Sequence, residues 1–196
     1  MNESVSPPEP TVLIVEDESE TADLYADMLA DEFDVRTAYS GTEGLEVLDG
    51  AVDVVLLDRR MPDLHGDDML AEIRNRGVDC RVVMVTAVDP DLDIIGLDFD
   101  DYLVKPVSDA ELRDAVHRML DRQALDSTIQ EAFALASKMA TLESRMDVDD
   151  LEQSREYAEL SNRFAELREA IETIDVDDPL YAELSAVKMQ ALFDAA

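Results

Sequence analysis

The sequence predicts an open α/β fold, a parallel sheet with helices on both faces, followed by an all-helical segment. Three observations predict it. Short apolar runs and stretches of helical apolar spacing alternate five times through about the first 120 residues, the pattern of a parallel sheet with crossover helices. In the third run, Val52–Leu57, the residues Val54-Val55-Leu56-Leu57 are apolar without a break, as a strand buried on both faces must be. Carboxylates close the first and third runs, Glu16-Asp17 and Asp58. Open α/β sheets bind ligands outside the carboxyl ends of their strands, where the strand order reverses. Acidic ends on the first and third strands suit the doubly wound order 2-1-3-4-5, whose crevice lies between strands 1 and 3.

Each element has its own signal. Thr11–Val15 is a short apolar strand, and Ser19–Ala30 a helix with Ala22, Tyr25, Met28 and Leu29 at helical spacing. Asp34–Ala38 is a weaker, more polar strand. Thr42–Leu48 is a short helix after Gly41, and Val52–Leu57 the third strand, apolar but for Asp53. Asp67–Arg74 is helical and ends before Gly77. Arg81–Val85 is a strand, and Asp91–Gly96 a short helix after Pro90. Tyr102–Val104 is the last strand, stopped by Pro106. Ser108-Asp109-Ala110-Glu111 is a capping box that opens the next helix, because the Ser hydroxyl and the Glu carboxylate can each satisfy the other's free backbone N–H.

From Ser108 to Met146 no Pro or Gly interrupts the chain. An apolar stripe at Leu112, Val116 and Met119-Leu120 blurs over Asp121–Thr128 and resumes at Ile129, Phe133, Ala136 and Ala140. A largely continuous helix is expected, with a break at the blur as the alternative. Asp147-Val148-Asp149-Asp150 reads as a turn ending in an N-cap. Tyr157, Leu160, Phe164, Leu167, Ile171 and Ile174 then alternate at spacings of 3 and 4, a coiled-coil-like seam for pairing within the chain or between two chains. Asp175–Pro179 repeats the turn before a last short helix. Residues 1–9, with Pro7 and Pro8, form a loose leader; 10–123 the α/β domain; 124–196 a helical hairpin or small bundle.

The net charge of −32 divides into −21 before Gln123 and −11 from there on, so acidity is uniform rather than confined to a tail. Only Lys105, Lys138 and Lys188 are lysines. Such a surface resembles that of proteins from salt-accumulating halophiles, where a Debye length of about 3 Å at 1 M salt makes self-repulsion tolerable. Nucleic-acid backbone binding needs clustered cations. Beyond Arg59-Arg60 and Arg74/Arg76 none is present, so direct DNA binding is disfavoured. Cys80 is the only cysteine; it is expected to be an inert packed thiol in a reducing compartment. With no apolar run near 18 residues and no signal-peptide pattern, a cytoplasmic protein without a membrane span is expected.

The chemistry lies at the strand ends. Three carboxylates in one crevice repel, each like-charge pair at 4 Å costing about 4 kcal/mol at an effective dielectric near 20. A divalent cation relieves this, and Mg²⁺ prefers oxygen ligands. Asp17 and Asp58 are candidate direct ligands, Glu16 a ligand through water, and the backbone carbonyl of Arg60 a further oxygen. Asp58 can then attack phosphorus as a carboxylate nucleophile, with Mg²⁺, Lys105 and Thr86 stabilising the phosphoryl oxygens. Lys105, the only lysine in the first 137 residues, lies at a strand end. Lys105-Pro106 is a candidate cis peptide.

The phrases Val12-Leu13-Ile14-Val15-Glu16-Asp17, Asp58-x-x-Met61-Pro62-x-x-x-Gly66, Val85-Thr86-Ala87 and Tyr102-x-x-Lys105-Pro106, in this order and spacing, resemble the receiver domain of two-component response regulators over about Pro10 to Gln123. The resemblance implies a flavodoxin-like (βα)5 fold and Asp58 as phosphoacceptor. It also implies Glu16 and Asp17 as the acidic pair, Thr86 and Tyr102 as switch residues beside Ala87, Lys105 as the phosphate contact, and Mg²⁺ as cofactor. The C-terminal segment resembles, more loosely, the HalX module that follows receivers in halophilic archaea. A sensor histidine kinase is the implied donor. A phosphotransfer protein, the transcription machinery or a second copy of the chain are further candidate partners. The alternative is a relay intermediate or phosphate sink whose helices serve dimerisation.

Competing readings fail on particular residues. A haloacid-dehalogenase-like phosphatase wants a second Asp two positions after the nucleophile, where Arg60 stands. Asp89-x-Asp91-x-Asp93 lacks the Gly and Glu of a calcium loop, with Ile94 and Asp100 in those places, and reads as a solvated helix start. His65 and His117 have no metal-ligand spacing, and a solvent-facing role is expected for both.

Overall fold

The structure is a computed structural model that describes residues 9–88, 94 and 96–173. Strands β1 (Thr11–Val15), β2 (Asp34–Ala38), β3 (Val54–Leu57), β4 (Arg81–Thr86) and β5 (Asp101–Val104) form one sheet in the order β2-β1-β3-β4-β5. Every pairing is parallel, and Val15 stands opposite Leu57 in the register of β1 and β3. Glu16 and Asp58 therefore leave adjacent strands at the same level. The predicted topology and strand order hold.

Side-chain alternation assigns the helices to faces. Val12, Ile14, Val54, Leu56, Val83 and Val85 pack with Ala22, Tyr25 and Leu29 of α1 (Ser19–Leu29) and with Leu112, Val116 and Met119 of α4 (Asp109–Glu143). Leu13, Val15, Val55, Leu57, Val82 and Met84 pack on the other face with Leu45 and Val47 of α2 (Gly41–Val47) and with Met69, Leu70 and Ile73 of α3 (Gly66–Arg76). Cys80 is buried in the second cluster. Burial pushes its thiol up to about 11, so at neutral pH it is a packed thiol rather than a nucleophile.

Local caps fix where helices start. Ser108 and Glu111 close the capping box reciprocally: the Ser108 N–H donates to Glu111 Oε2 at 2.9 Å, and the Glu111 N–H to Ser108 Oγ at 3.3 Å. Ser40 Oγ accepts from the Glu43 N–H at 3.1 Å and caps α2. Asp63 reaches across from the next loop to accept from the N–H groups of Gly41 and Thr42, at 3.2 and 2.9 Å. These bonds hold its carboxyl well below the usual range. The third strand is shorter than expected: Val52 is buried but precedes the ladder, and the Asp53 carboxylate accepts from the Thr11 N–H at 2.8 Å. The expected helix over 91–96 falls largely on residues outside those described.

The chain divides into two compact units, Met1–Leu120 and Asp121–Ala196. Helix α4 runs unbroken through the segment where the apolar stripe blurs. The blur is a phase slip: buried residues at spacings of 3 and 4 up to Met119 resume six positions later at Leu125. In the second unit α5 (Val148–Glu152) stands where a turn was expected, opened by Asp147 as N-cap. Then comes α6 (Arg155–Thr173). Phe164, Leu167 and Ile171 of the predicted seam pack within the chain against Leu125, Ile129, Ala132 and Ala136 of α4. Ile174 and the last helix lie outside the described residues. Phe164→Ala is expected to destabilise this unit by roughly 3–5 kcal/mol. Denaturant titration followed by helical circular dichroism checks this, with an early transition as the expected result.

Candidate functional site

The site forms where β1, β3, β4 and β5 end. The main chain carries β1 and β3 one step past their last pair, with the Asp58 N–H donating to the Val15 carbonyl at 2.9 Å. One oxygen of each of Glu16, Asp17 and Asp58 lies within 4.8 Å of the others. Glu16 and Asp58 are buried, while Asp17 faces solvent. Hard carboxylate oxygens this close suit a divalent ion that keeps part of its water shell, as Mg²⁺ does.

Lys105 follows β5, fixed by its N–H donating to the Thr86 carbonyl at 2.9 Å. The Lys105–Pro106 peptide is cis. The ammonium lies 2.5 Å from Glu16 Oε2 and 3.0 Å from Asp58 Oδ1. Asp58 Oδ2 accepts from the Arg60 N–H at 2.8 Å, so both oxygens of Asp58 are held. Burial pushes the Glu16 carboxyl up, against the pull of its hydrogen bond to Lys105. Burial also opposes the charge of Lys105, but its bonds to Glu16 and Asp58 outweigh this, and its pKa lies above the ordinary value. The ammonium thus bridges two carboxylates that would otherwise repel and offsets one of their two charges.

Thr86, at the end of β4, is buried, and its hydroxyl accepts from the Val88 N–H at 3.3 Å. The Tyr102 hydroxyl donates to the Val88 carbonyl at 2.8 Å, and its ring lies 5.6 Å from that of Phe99. Thr86 and Tyr102 therefore converge on one residue, Val88, rather than on the carboxylates. Ala87 lies between them, exposed. The structure brings Glu16, Asp17, Asp58 and Lys105 together. Arg60 reaches them through its main chain.

Several charged contacts beside the site and elsewhere in the domain carry no local sequence signal. Arg59 is buried and grips Asp67 of α3 with two nitrogens, Nε to Oδ1 at 3.0 Å and a terminal nitrogen to Oδ2 at 3.1 Å. Arg74 and Arg81 share Asp100, at 2.7 and 2.9 Å. Arg76 donates to Glu72 and to the Leu45 carbonyl, both at 2.8 Å. Of the arginines that stood out in sequence, Arg59, Arg74 and Arg76 are thus engaged within the domain, while Arg60 is exposed. His117 is half exposed, but its Nε2 lies 2.9 Å from Glu32, and its ring packs 5.2 Å from Phe33. It is not simply solvent-facing. His65 precedes α3 as its N-cap residue and makes no side-chain capping bond.

Comparison with known proteins gives the family and the fold. The family described as the response regulator receiver domain matches residues 12–117, and the HalX domain matches 121–178. A putative transcriptional regulator of Haloferax volcanii is 50% identical over 161 residues, 82% of this chain and 28% of that protein. The transcriptional regulatory protein CpxR of Klebsiella pneumoniae is 39% identical over 115 residues, 57% of this chain and 49% of CpxR. The chain thus spans half or less of the length of these two relatives. The response regulator TrrA of Thermotoga maritima, solved in complex with Mg²⁺-BeF, is 29% identical with a TM-score of 0.50, covering 56% of this chain and 98% of TrrA.

Proposed function

Since the chain belongs to the response regulator receiver-domain family, we propose that it is a phosphorylation-controlled regulator whose phosphoacceptor is Asp58. One observation carries this reading: three carboxylates share a crevice in which Lys105 Nζ stands 3.0 Å from Asp58 Oδ1. Glu16, Asp17, Asp58 and the carbonyl of Arg60 would hold Mg²⁺, the ion reported with TrrA. When bound, the ion supplies positive charge against the carboxylates and the phosphoryl oxygens.

In phosphoryl transfer an Asp58 oxygen forms the new bond to phosphorus. The bond to the donor, the phosphohistidine of a sensor kinase, breaks, and its electron pair leaves with the imidazole. Lys105 shifts its charge from the Asp58 carboxylate toward the incoming phosphoryl group, as a preorganised cation can without solvent rearrangement. The Thr86 hydroxyl, which accepts from the Val88 N–H, turns to donate to a phosphoryl oxygen, and one of the two bonds that converge on Val88 is released. Tyr102, held to the same residue, then has a new set of neighbours. A switch of this kind moves only as far as the phosphoryl group favours one arrangement over the other.

The chain modifies itself rather than turning over an external substrate. The output is regulation of transcription through the HalX segment, a reading supported by the Haloferax volcanii relative. No helix among the described residues is long and apolar enough to cross a membrane, and the cytoplasm is the proposed compartment. The test is phosphorylation by acetyl phosphate, followed by intact mass in high salt. Labelling is expected with Mg²⁺ and lost with a chelator; labelling indifferent to chelation would refute the metal assignment.

A further inference from the structure

We infer that the Arg59–Asp67 ion pair positions the metal loop, and that Asp67 sets the Mg²⁺ requirement of the site without touching the ion. The inference rests on the reading of Asp58 as a metal-assisted phosphoacceptor. The loop between β3 and α3 must do two things at once. It holds an Asp58 oxygen through the Arg60 N–H, at 2.8 Å, and it presents the Arg60 carbonyl as a ligand. Both depend on where residue 60 stands, and residue 60 is exposed, with no packing of its own to fix it.

The loop is fixed at its base instead. Gly66 opens α3 directly against the strand end: a Cβ there would meet the Asp58 carbonyl oxygen at 2.3 Å and the Arg59 Cα at 2.8 Å. Only glycine allows that approach. The Gly66 N–H donates to the Arg59 carbonyl at 2.9 Å. One residue further, Asp67 takes the Arg59 guanidinium in the two-nitrogen grip described above. Residues 58 and 59 are thus joined to 66 and 67 by a close main-chain approach, a main-chain hydrogen bond and a bidentate ion pair. The six residues between form a closed ring.

The ion pair is not a surface ornament. The Arg59 side chain is only 10% exposed and that of Asp67 34%. A buried guanidinium is costly unless paired, and the fork geometry fixes direction as well as distance. Mg²⁺ demands near-ideal octahedral geometry, so a ligand that is free to drift costs affinity. Groups that orient metal ligands typically contribute 10- to 100-fold in affinity when lost. Asp67 is also the better probe of the pair, because asparagine keeps its shape while it loses the charge and half of the grip.

The test measures labelling rate by acetyl phosphate against Mg²⁺ concentration for wild type, Asp67→Asn, Arg59→Lys and the exchanged pair Arg59→Asp/Asp67→Arg. Thermal unfolding is measured on each. Asp67→Asn is expected to raise the half-saturating Mg²⁺ about tenfold, more than it changes the rate at saturating Mg²⁺. Arg59→Lys should do nearly as much, because an ammonium cannot make the two parallel bonds. The exchanged pair should recover part of the loss. A lowered melting temperature with unchanged Mg²⁺ dependence in Asp67→Asn and Arg59→Lys would overturn the inference and leave a merely structural pair. Wild-type labelling that needs no Mg²⁺, or that persists in Asp58→Asn, would overturn the underlying reading instead.

Discussion

Asp58→Asn is expected to abolish labelling by acetyl phosphate. The amide keeps the volume of the carboxylate and can still accept from the Arg60 N–H, so the loop keeps its shape. What is lost is the nucleophile: an amide oxygen is too weak to attack phosphorus, and one of three metal-binding carboxylates becomes neutral. The fold should survive. Asp58 is buried beside Glu16, and removing one of two like charges relieves repulsion, while Lys105 keeps its 2.5 Å bond to Glu16. Intact mass after a fixed incubation, with circular dichroism as the control for folding, reads the result. Full labelling of the variant would place the phosphoryl group elsewhere.

Lys105→Met is expected to slow labelling by roughly 100-fold or more, the usual cost of removing one preorganised charge-stabilising group. The side chain contacts Glu16 and Asp58, and it sits on a strand end whose main chain is pinned to Thr86. Methionine fills the same space without the charge. It leaves Glu16 and Asp58 facing each other with no internal cation, so more of the work falls on Mg²⁺, and the variant should need more of it to fold firmly as well as to react. A labelling time course at saturating Mg²⁺ checks the rate. A variant that reacts within a fewfold of wild type would show that Lys105 is a structural counter-ion only.

The sequence made the α/β domain legible because its signals are local. Burial on both faces forces near-continuous apolar runs for β1, β3 and β4, and carboxylates at the ends of β1 and β3 suit the strand order that the sheet adopts. The edges were less legible. Val52 is buried ahead of the ladder, so a buried apolar residue beyond Asp53 overstates the strand, and the first residue of α3 is Gly66, where the strand end leaves no room for a side chain. Asp147–Asp150, dense in turn-forming residues, starts a short helix, since aspartates also serve its first turn. The long α4 could be expected from the absence of Pro and Gly, but which stripe serves which core depends on a phase slip after Met119.

Within the candidate site, the four charged groups were legible as motif residues, whereas their supports were not. Arg59 and Asp67, eight positions apart, meet only because Gly66 folds α3 back on β3. Elsewhere in the domain the same holds: Asp63 caps a helix that starts some twenty residues earlier, and Asp100 draws in Arg74 and Arg81 from two elements. Pairings of this kind depend on tertiary proximity, and a spacing rule cannot reveal them. Of the two arginine pairs that stood out in sequence, Arg59, Arg74 and Arg76 tie segments of the domain together, while Arg60 is exposed.

The most direct measurement is chemical trapping of the phosphorylated protein. After reaction with acetyl phosphate and Mg²⁺, borohydride reduces an aspartyl phosphate to homoserine, which peptide mass spectrometry can locate. The account predicts homoserine at position 58 and nowhere else, dependent on Mg²⁺. Homoserine at another carboxylate, or none in protein that carries the phosphoryl label, would contradict it.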